Sequence, residues 1–176
     1  MNLDEVRVKI NAIDGSMKEL FDARMECSFD VATVKMETSD EVFKPDREKA
    51  ICEKFADDKS YQTFVKKIMQ ISRKYQYGIF ADNDILKDKF TAKLTDDNKK
   101  VLTDGGELVL KLSSDETFSG GLPVKDIISF IADTKLDIIS LSCKDGNVDV
   151  VLDVPADEIS RKEALILTYM LYMETL

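Results

Sequence analysis

Residues 3–35 carry apolar side chains on a seven-residue rhythm, and no other feature restricts the fold of this chain as much. Leu3, Ile10, Met17, Arg24 and Val31 share one heptad position, and Val6, Ile13, Leu20, Cys27 and Val34 form the companion set. Paired positions repeating every 3.5 residues mark a helix that lays one seam against another helix. No proline interrupts the run, and Gly15 lies off the seam, where it costs about 1 kcal/mol against alanine. A helix of roughly 33 residues is about 50 Å long. A chain of 176 residues cannot wrap such a rod by itself, so the pattern calls for a second copy: a dimer.

Arg24 sits inside this seam. A charge there must be paired, solvated or used for binding. Lys35 lies eleven residues on, which returns it to nearly the same face about 16 Å away. Two long cationic side chains can then converge on a small anion. Arg7 is about 25 Å back along the same axis, too far to share that ligand from its own helix, but within reach from an antiparallel partner. After a polar break, Pro45 opens a short helix of about 45–56, with Arg47 in its first turn, where an anion also meets free backbone donors. A third helix of about 60–80, with Ser60 as its cap, carries Ser72 and Gln76 one turn apart beside an apolar face.

Composition removes several chemistries. The chain contains no histidine, so neither a Ser-His-Asp triad nor a Cys-His pair can form within it. Its three cysteines, Cys27, Cys52 and Cys143, form no C-x-x-C pair, so a zinc site is not expected, and they read as buried thiols in a reducing cytosol. No phosphate-binding glycine motif occurs, and no cofactor is expected. The net charge of −9 argues against a general nucleic-acid surface while leaving room for a local basic pocket. The opening MNLDEVRVKI lacks the apolar run of a signal peptide, and no window approaches twenty apolar residues. The expectation is therefore a cytoplasmic protein without a membrane association.

The charge is unevenly spread: residues 1–80 account for one unit of the net negative charge and residues 81–176 for eight. Five of the seven glycines also lie in the second part. The expected division is a helical domain, 1–82; a linker or accessory strand, 83–104; and an α+β domain, 105–176.

Four segments of the first part, in order, resemble the all-helical class of chorismate mutase. They are the arginine, isoleucine and I-D pattern in RVKINAIDG, the R-x-x-x-x-x-x-V-A-x-x-K stretch from Arg24 to Lys35, the P-x-R-E segment at 45–48, and IMQISRKYQ at 68–76. The resemblance covers residues 3 to about 80. It implies a three-helix protomer in an intertwined homodimer with shared active sites, converting chorismate to prephenate in aromatic amino acid biosynthesis. Carried over to this chain, Arg24, Lys35 and Arg47 come from one copy and Arg7 from the other, with Glu48, Ser72 and Gln76 completing the pocket. By the same resemblance Arg7 and Arg24 hold carboxylates, Lys35 and Gln76 face the ether oxygen, Arg47 and Ser72 help orient the substrate, and Glu48 accepts from the ring hydroxyl. Lys44 stands where some members carry an acid, and Asn11 replaces an acid common before the I-D pair. The residue types suit a rearrangement that needs no nucleophile, metal or general base. A non-catalytic dimeric interaction or regulatory protein built on the same helices is the alternative.

The second part reads as strands at 107–112, 136–143 and 148–154, the last two around a turn at KDGN. FTAKLT, 90–95, reads as one further short strand. Helices are expected after Pro123 and from Ser160, as its cap, onward. The order β-α-β-β-α is ferredoxin-like without its last strand, and it resembles an ACT-like regulatory domain, with Gly120 and Gly121 about where such domains bind amino acids. Phenylalanine or tyrosine as effector, or another enzyme of the pathway as partner, follows from that resemblance.

Overall fold

The computed structural model describes residues 2–83, 85–86, 94–113, 124–145 and 147–174, with the backbone alone at 113 and 124–127. Helix α1 spans Leu3–Thr38. It starts in a reciprocal cap: the Asn2 side chain accepts from the Glu5 amide (2.9 Å), and the Glu5 carboxylate accepts from the Asn2 amide (3.0 Å). It ends at Ser39 in the left-handed region (φ 56°), where the Asp40 amide donates to the Lys35 carbonyl at 3.0 Å. That cap folds residues 39–44 back over the last turn of α1.

Helix α2 spans Pro45–Glu53, with proline in its first turn, and α3 spans Lys59–Asp82. The second helix ends earlier than expected from the sequence, in turns over residues 54–57. Ser60 is not the cap of α3. Asp58 takes that place and accepts from the Tyr61 amide at 2.9 Å, because an N-cap carboxylate also meets the positive end of the helix.

The remainder is α+β in the order α-β-α-β-β-α. Helix α4 spans Asp96–Asp104, β1 Gly106–Ser113, α5 Val124–Ala132, β2 Asp137–Lys144, β3 Asn147–Val154 and α6 Glu158–Met173. The strands lie in the order β1-β3-β2 with antiparallel neighbours. Thus β1 and β2 run parallel with β3 between them, a split β-α-β arrangement. Lys144 pairs with Asn147 across the hairpin, and the register shifts between Ile138 and Ser140. Val148, Val150, Leu152 and Val154 alternate inward along β3, as a sheet with one covered face requires.

Two expectations for this part need correction, and a third lies outside the described residues. Residues 90–93 of FTAKLT lie outside the described residues, but Thr95, at its end, caps a helix by accepting from the Asn98 amide (3.2 Å). The segment expected as a linker or accessory strand therefore contains α4. Ser160 does not start the last helix. Asp157 does, accepting from the Ser160 amide (2.9 Å) and hydroxyl (2.7 Å). Gly120, Gly121 and Pro123 fall outside the described residues.

The free edge of β1 is closed by a side chain. Asn98 donates through Nδ2 to the Val109 carbonyl (2.6 Å) and accepts the Val109 amide at Oδ1 (3.1 Å), the exchange a neighbouring strand would make. Gly105 (φ +85°) lets α4 turn directly into β1. A Cβ there would come within 2.8 Å of the Ala156 Cα, so only glycine fits.

The helical and α+β parts share a core. Tyr77 and Phe80 of α3 join one cluster with Leu108, Leu110, Val150 and Leu152 of the sheet and Leu167 and Leu171 of α6. Helices α3 and α6 approach closely at Gly78, where a Cβ would sit 3.4 Å from the Ile166 Cδ1. In contrast, the first half of α1 finds almost no cover: Leu3, Ile10, Ile13 and Leu20 are 64, 48, 58 and 72 % exposed. Only Ser28 and Ala32 of this helix are buried. No helix among the described residues is long and apolar enough to cross a membrane.

Candidate active site

Where α1, the 39–44 turn, α2 and α3 meet, a cavity of about 670 Å³ opens. Arg24 and Lys35 reach it from α1, Arg47 and Glu48 from the first turn of α2, and Ser72 and Gln76 from α3. Six of the seven residues expected from the sequence therefore line one cavity. Arg7 does not. Its guanidinium is exposed and pairs with Asp4 of its own helix at 3.2 Å.

Local structure sets each position. A stripe at three- and four-residue spacing, Met69, Ser72, Gln76 and Phe80, is buried along α3 and presents two polar groups to α1. Arg24 Nη1 donates to Ser72 Oγ, which itself donates to the Ile68 carbonyl at 3.0 Å. Lys35 Nζ donates to the Val42 carbonyl at 2.7 Å, a contact that exists because the left-handed cap at Ser39 returns the chain over the helix. Gln76 Nε2 donates to the Ser72 carbonyl at 3.3 Å, while its Oε1 is buried without a partner among the described residues. Arg47 stands exposed at the mouth, in the first turn of a helix whose N-cap residue makes no side-chain cap.

The charges are unbalanced. Lys44 forms an ion pair with Asp40, and Arg73 with Glu48, whereas no ion pair forms on Arg24, Lys35 or Arg47 among the described residues. Burial lowers the pKa of Arg24, against the opposing pull of Glu48. Burial also lowers that of Lys35, with Asp40 and Glu48 opposing and the nearby Lys44 and Arg47 charges adding to the depression. Half-buried cations held below their ordinary values favour an arriving anion, which restores what burial removed. Among the described residues, no group of acidic or thiol side chains is arranged to hold a metal ion. The site offers cationic and neutral hydrogen-bond donors and one carboxylate: it can grip a small polyanion and orient a hydroxyl.

One site residue received no role from the sequence. Arg73 lies between Ser72 and Gln76, is 9 % exposed, and joins Glu48 to Glu174. Its signal was present: it interrupts the spacing of Met69, Tyr77 and Phe80 on the buried face of α3, where a charge needs a partner.

No curated protein and no solved structure matches the chain. A family comparison does, and it covers the helices that build the cavity: residues 6–77 match the family model of chorismate mutase type II, so the N-terminal segment is chorismate-mutase-like.

Proposed function

We propose that this chain is a chorismate mutase, converting chorismate to prephenate by a unimolecular rearrangement. The observation that carries the reading is the convergence of Arg24, Lys35 and Arg47, none of them in an ion pair among the described residues, on one cavity within the family-matched segment. Chorismate is a small dicarboxylate, and planar arginine donors suit carboxylates. One carbon–oxygen bond breaks as one carbon–carbon bond forms, and no group leaves. Catalysis then consists of holding a compact conformer and stabilising negative charge that grows on the ether oxygen. Lys35 and Gln76 serve that oxygen, Arg24 a carboxylate, Arg47 and Ser72 orientation, and Glu48 accepts from the ring hydroxyl. For Gln76 this requires its amide to leave the Ser72 carbonyl.

A second copy completes the site. Exposed Leu3, Ile10, Ile13 and Leu20 supply an apolar seam for a homodimer, and Arg7 of the second copy would enter the cavity that its own helix cannot reach. Co-refolding Arg7→Ala chains with Arg24→Ala chains yields heterodimers with one intact and one doubly damaged site. Activity is expected to return to at most about half that of the intact dimer, against losses of roughly tenfold or more in each parent. Heterodimers as poor as their parents would remove Arg7 from the shared site.

We also propose that the α+β part is a regulatory or docking unit, its ferredoxin-like order being the support for an amino-acid effector such as phenylalanine or tyrosine. The proposed compartment is the cytoplasm, in keeping with three unpaired cysteines, of which only Cys52 is buried as expected; Cys27 and Cys143 are exposed.

The functional test is direct: purified protein should accelerate the loss of chorismate absorbance, and a rate equal to buffer would remove the mutase reading. The pH dependence is specific as well. The competent form of Lys35 is protonated, and its pKa in the free enzyme lies below the ordinary 10.5. The profile of kcat/KM, which reports the free enzyme, is expected to stay flat through neutrality and fall as pH rises through that lowered value. A Lys35→Arg variant that retains activity should lose this alkaline limb. An identical limb in that variant would assign it to another group.

A further inference from the structure

We infer that Arg73 is a positioning residue for Glu48, and that its second anchor, Glu174, makes the end of α6 part of the support of the site. The inference rests on the mutase reading for what Glu48 does, but its geometry stands apart from that reading.

Arg73 is clamped from three sides. Nη1 donates to both carboxylate oxygens of Glu48. Nε donates to Glu174 Oε1 at 2.6 Å. The Phe43 ring lies with its centroid 5.0 Å from Cζ, within cation–π range. The side chains of Arg73 and Glu174 are only 10 and 2 % exposed, and that of Glu48 is 23 % exposed toward the cavity. One guanidinium therefore binds a carboxylate of the cavity wall on one side and a nearly inaccessible carboxylate, 101 residues away in sequence, on the other.

The consequence is mechanical. Glu48 sits in the first turn of α2, a nine-residue helix whose N-cap residue makes no side-chain cap. Its carboxylate has freedom unless something outside α2 fixes it. A guanidinium is planar, and the direction of its Nη1 donor depends on where Nε is held. With Glu174 fixing Nε and Phe43 flanking the plane, Nη1 has one direction and the Glu48 carboxylate one place. With Glu174 neutral, Arg73 keeps a single ionic partner and swings with it, and Glu48 no longer meets a substrate hydroxyl at a fixed angle.

A double-mutant cycle in the full-length chain tests this. Glu174→Gln removes one charge and keeps the shape. It is expected to lower kcat/KM for chorismate about tenfold in the wild-type background and less than about twofold when Glu48→Gln is already present, since residues acting through one network are not additive. Equal factors in both backgrounds, or no change from Glu174→Gln alone, would overturn the inference. Arg73→Lys keeps a cation without the fork and should show the same dependence on Glu48, which covers the case of a poorly folding Glu174 variant. If wild-type protein leaves chorismate untouched, the mutase reading fails, and the clamp is read without turnover. The Glu48 carboxylate carbon resonance should move in Glu174→Gln, and an unmoved resonance would overturn the clamp itself.

Discussion

Lys35→Ala is expected to lower kcat/KM for chorismate by at least ~10²-fold while leaving the fold in place, the size of loss that follows removal of a donor to a developing oxyanion. Both halves of the expectation come from the same environment. Lys35 is held half-buried beneath the 39–44 turn by its bond to the Val42 carbonyl, so it is aimed rather than solvated. Its lowered pKa means that folding weakens its hold on the proton. Below the ordinary lysine value the charge therefore opposes folding, and deleting it at neutral pH relieves that opposition while sacrificing one hydrogen bond. Arg24→Ala should behave similarly in kinetics, with a larger effect on stability because the Ser72 oxygen loses its donor and keeps only its own bond to the Ile68 carbonyl. Near-normal kinetics of Lys35→Ala would show that the ether oxygen, if it binds here, is served by another group.

Cutting the chain after Asp82 is expected to abolish cooperative folding of the helical part, or lower its melting temperature by tens of degrees. The helical pattern read from the sequence favours an independent unit with that boundary, and α3 does end at Asp82. The packing argues otherwise. Tyr77 is 0 % exposed and Phe80 2 %, and both belong to the cluster shared with the sheet and α6. Burying one such side chain is worth about 1.5–3 kcal/mol, and a domain's whole margin is about 5–15 kcal/mol. Arg73 loses Glu174 in the same cut. Circular dichroism melts of residues 1–82 and the full chain compare the two directly. Equal melting temperatures and equal turnover would show that dimerisation alone sustains the helices.

The contrast between these expectations marks where the sequence is legible. The heptad rhythm located α1, because a period of 3.5 needs only local residues. Pro45 located the start of α2 for the same reason, and six of the seven residues expected from spacing and family resemblance line one cavity. The caps were legible in kind but not in place: Asp58 and Asp157 displace Ser60 and Ser160, because a carboxylate just upstream competes for the same backbone donors. Helix α4 was hidden because its nine residues hold just two large apolar side chains, Val101 and Leu102, although Thr95 followed by two acids is itself a start signal. The Arg73–Glu174 pair had no local signature at all, since its partner is supplied by folding. The same holds for Asn98, whose side chain closes the edge of β1, a contact no periodicity encodes.

The central claim is that the chain accelerates a rearrangement in which nothing leaves the substrate. A cationic cavity could also hold chorismate while its enolpyruvyl group is expelled, so loss of substrate does not separate the two outcomes. Proton NMR of full-length protein with chorismate at neutral pH does. Prephenate resonances should rise in step with the fall of chorismate, one molecule for one, with no pyruvate methyl signal. Growth of that methyl signal would contradict the rearrangement, and an unchanged chorismate spectrum would contradict catalysis at this site altogether.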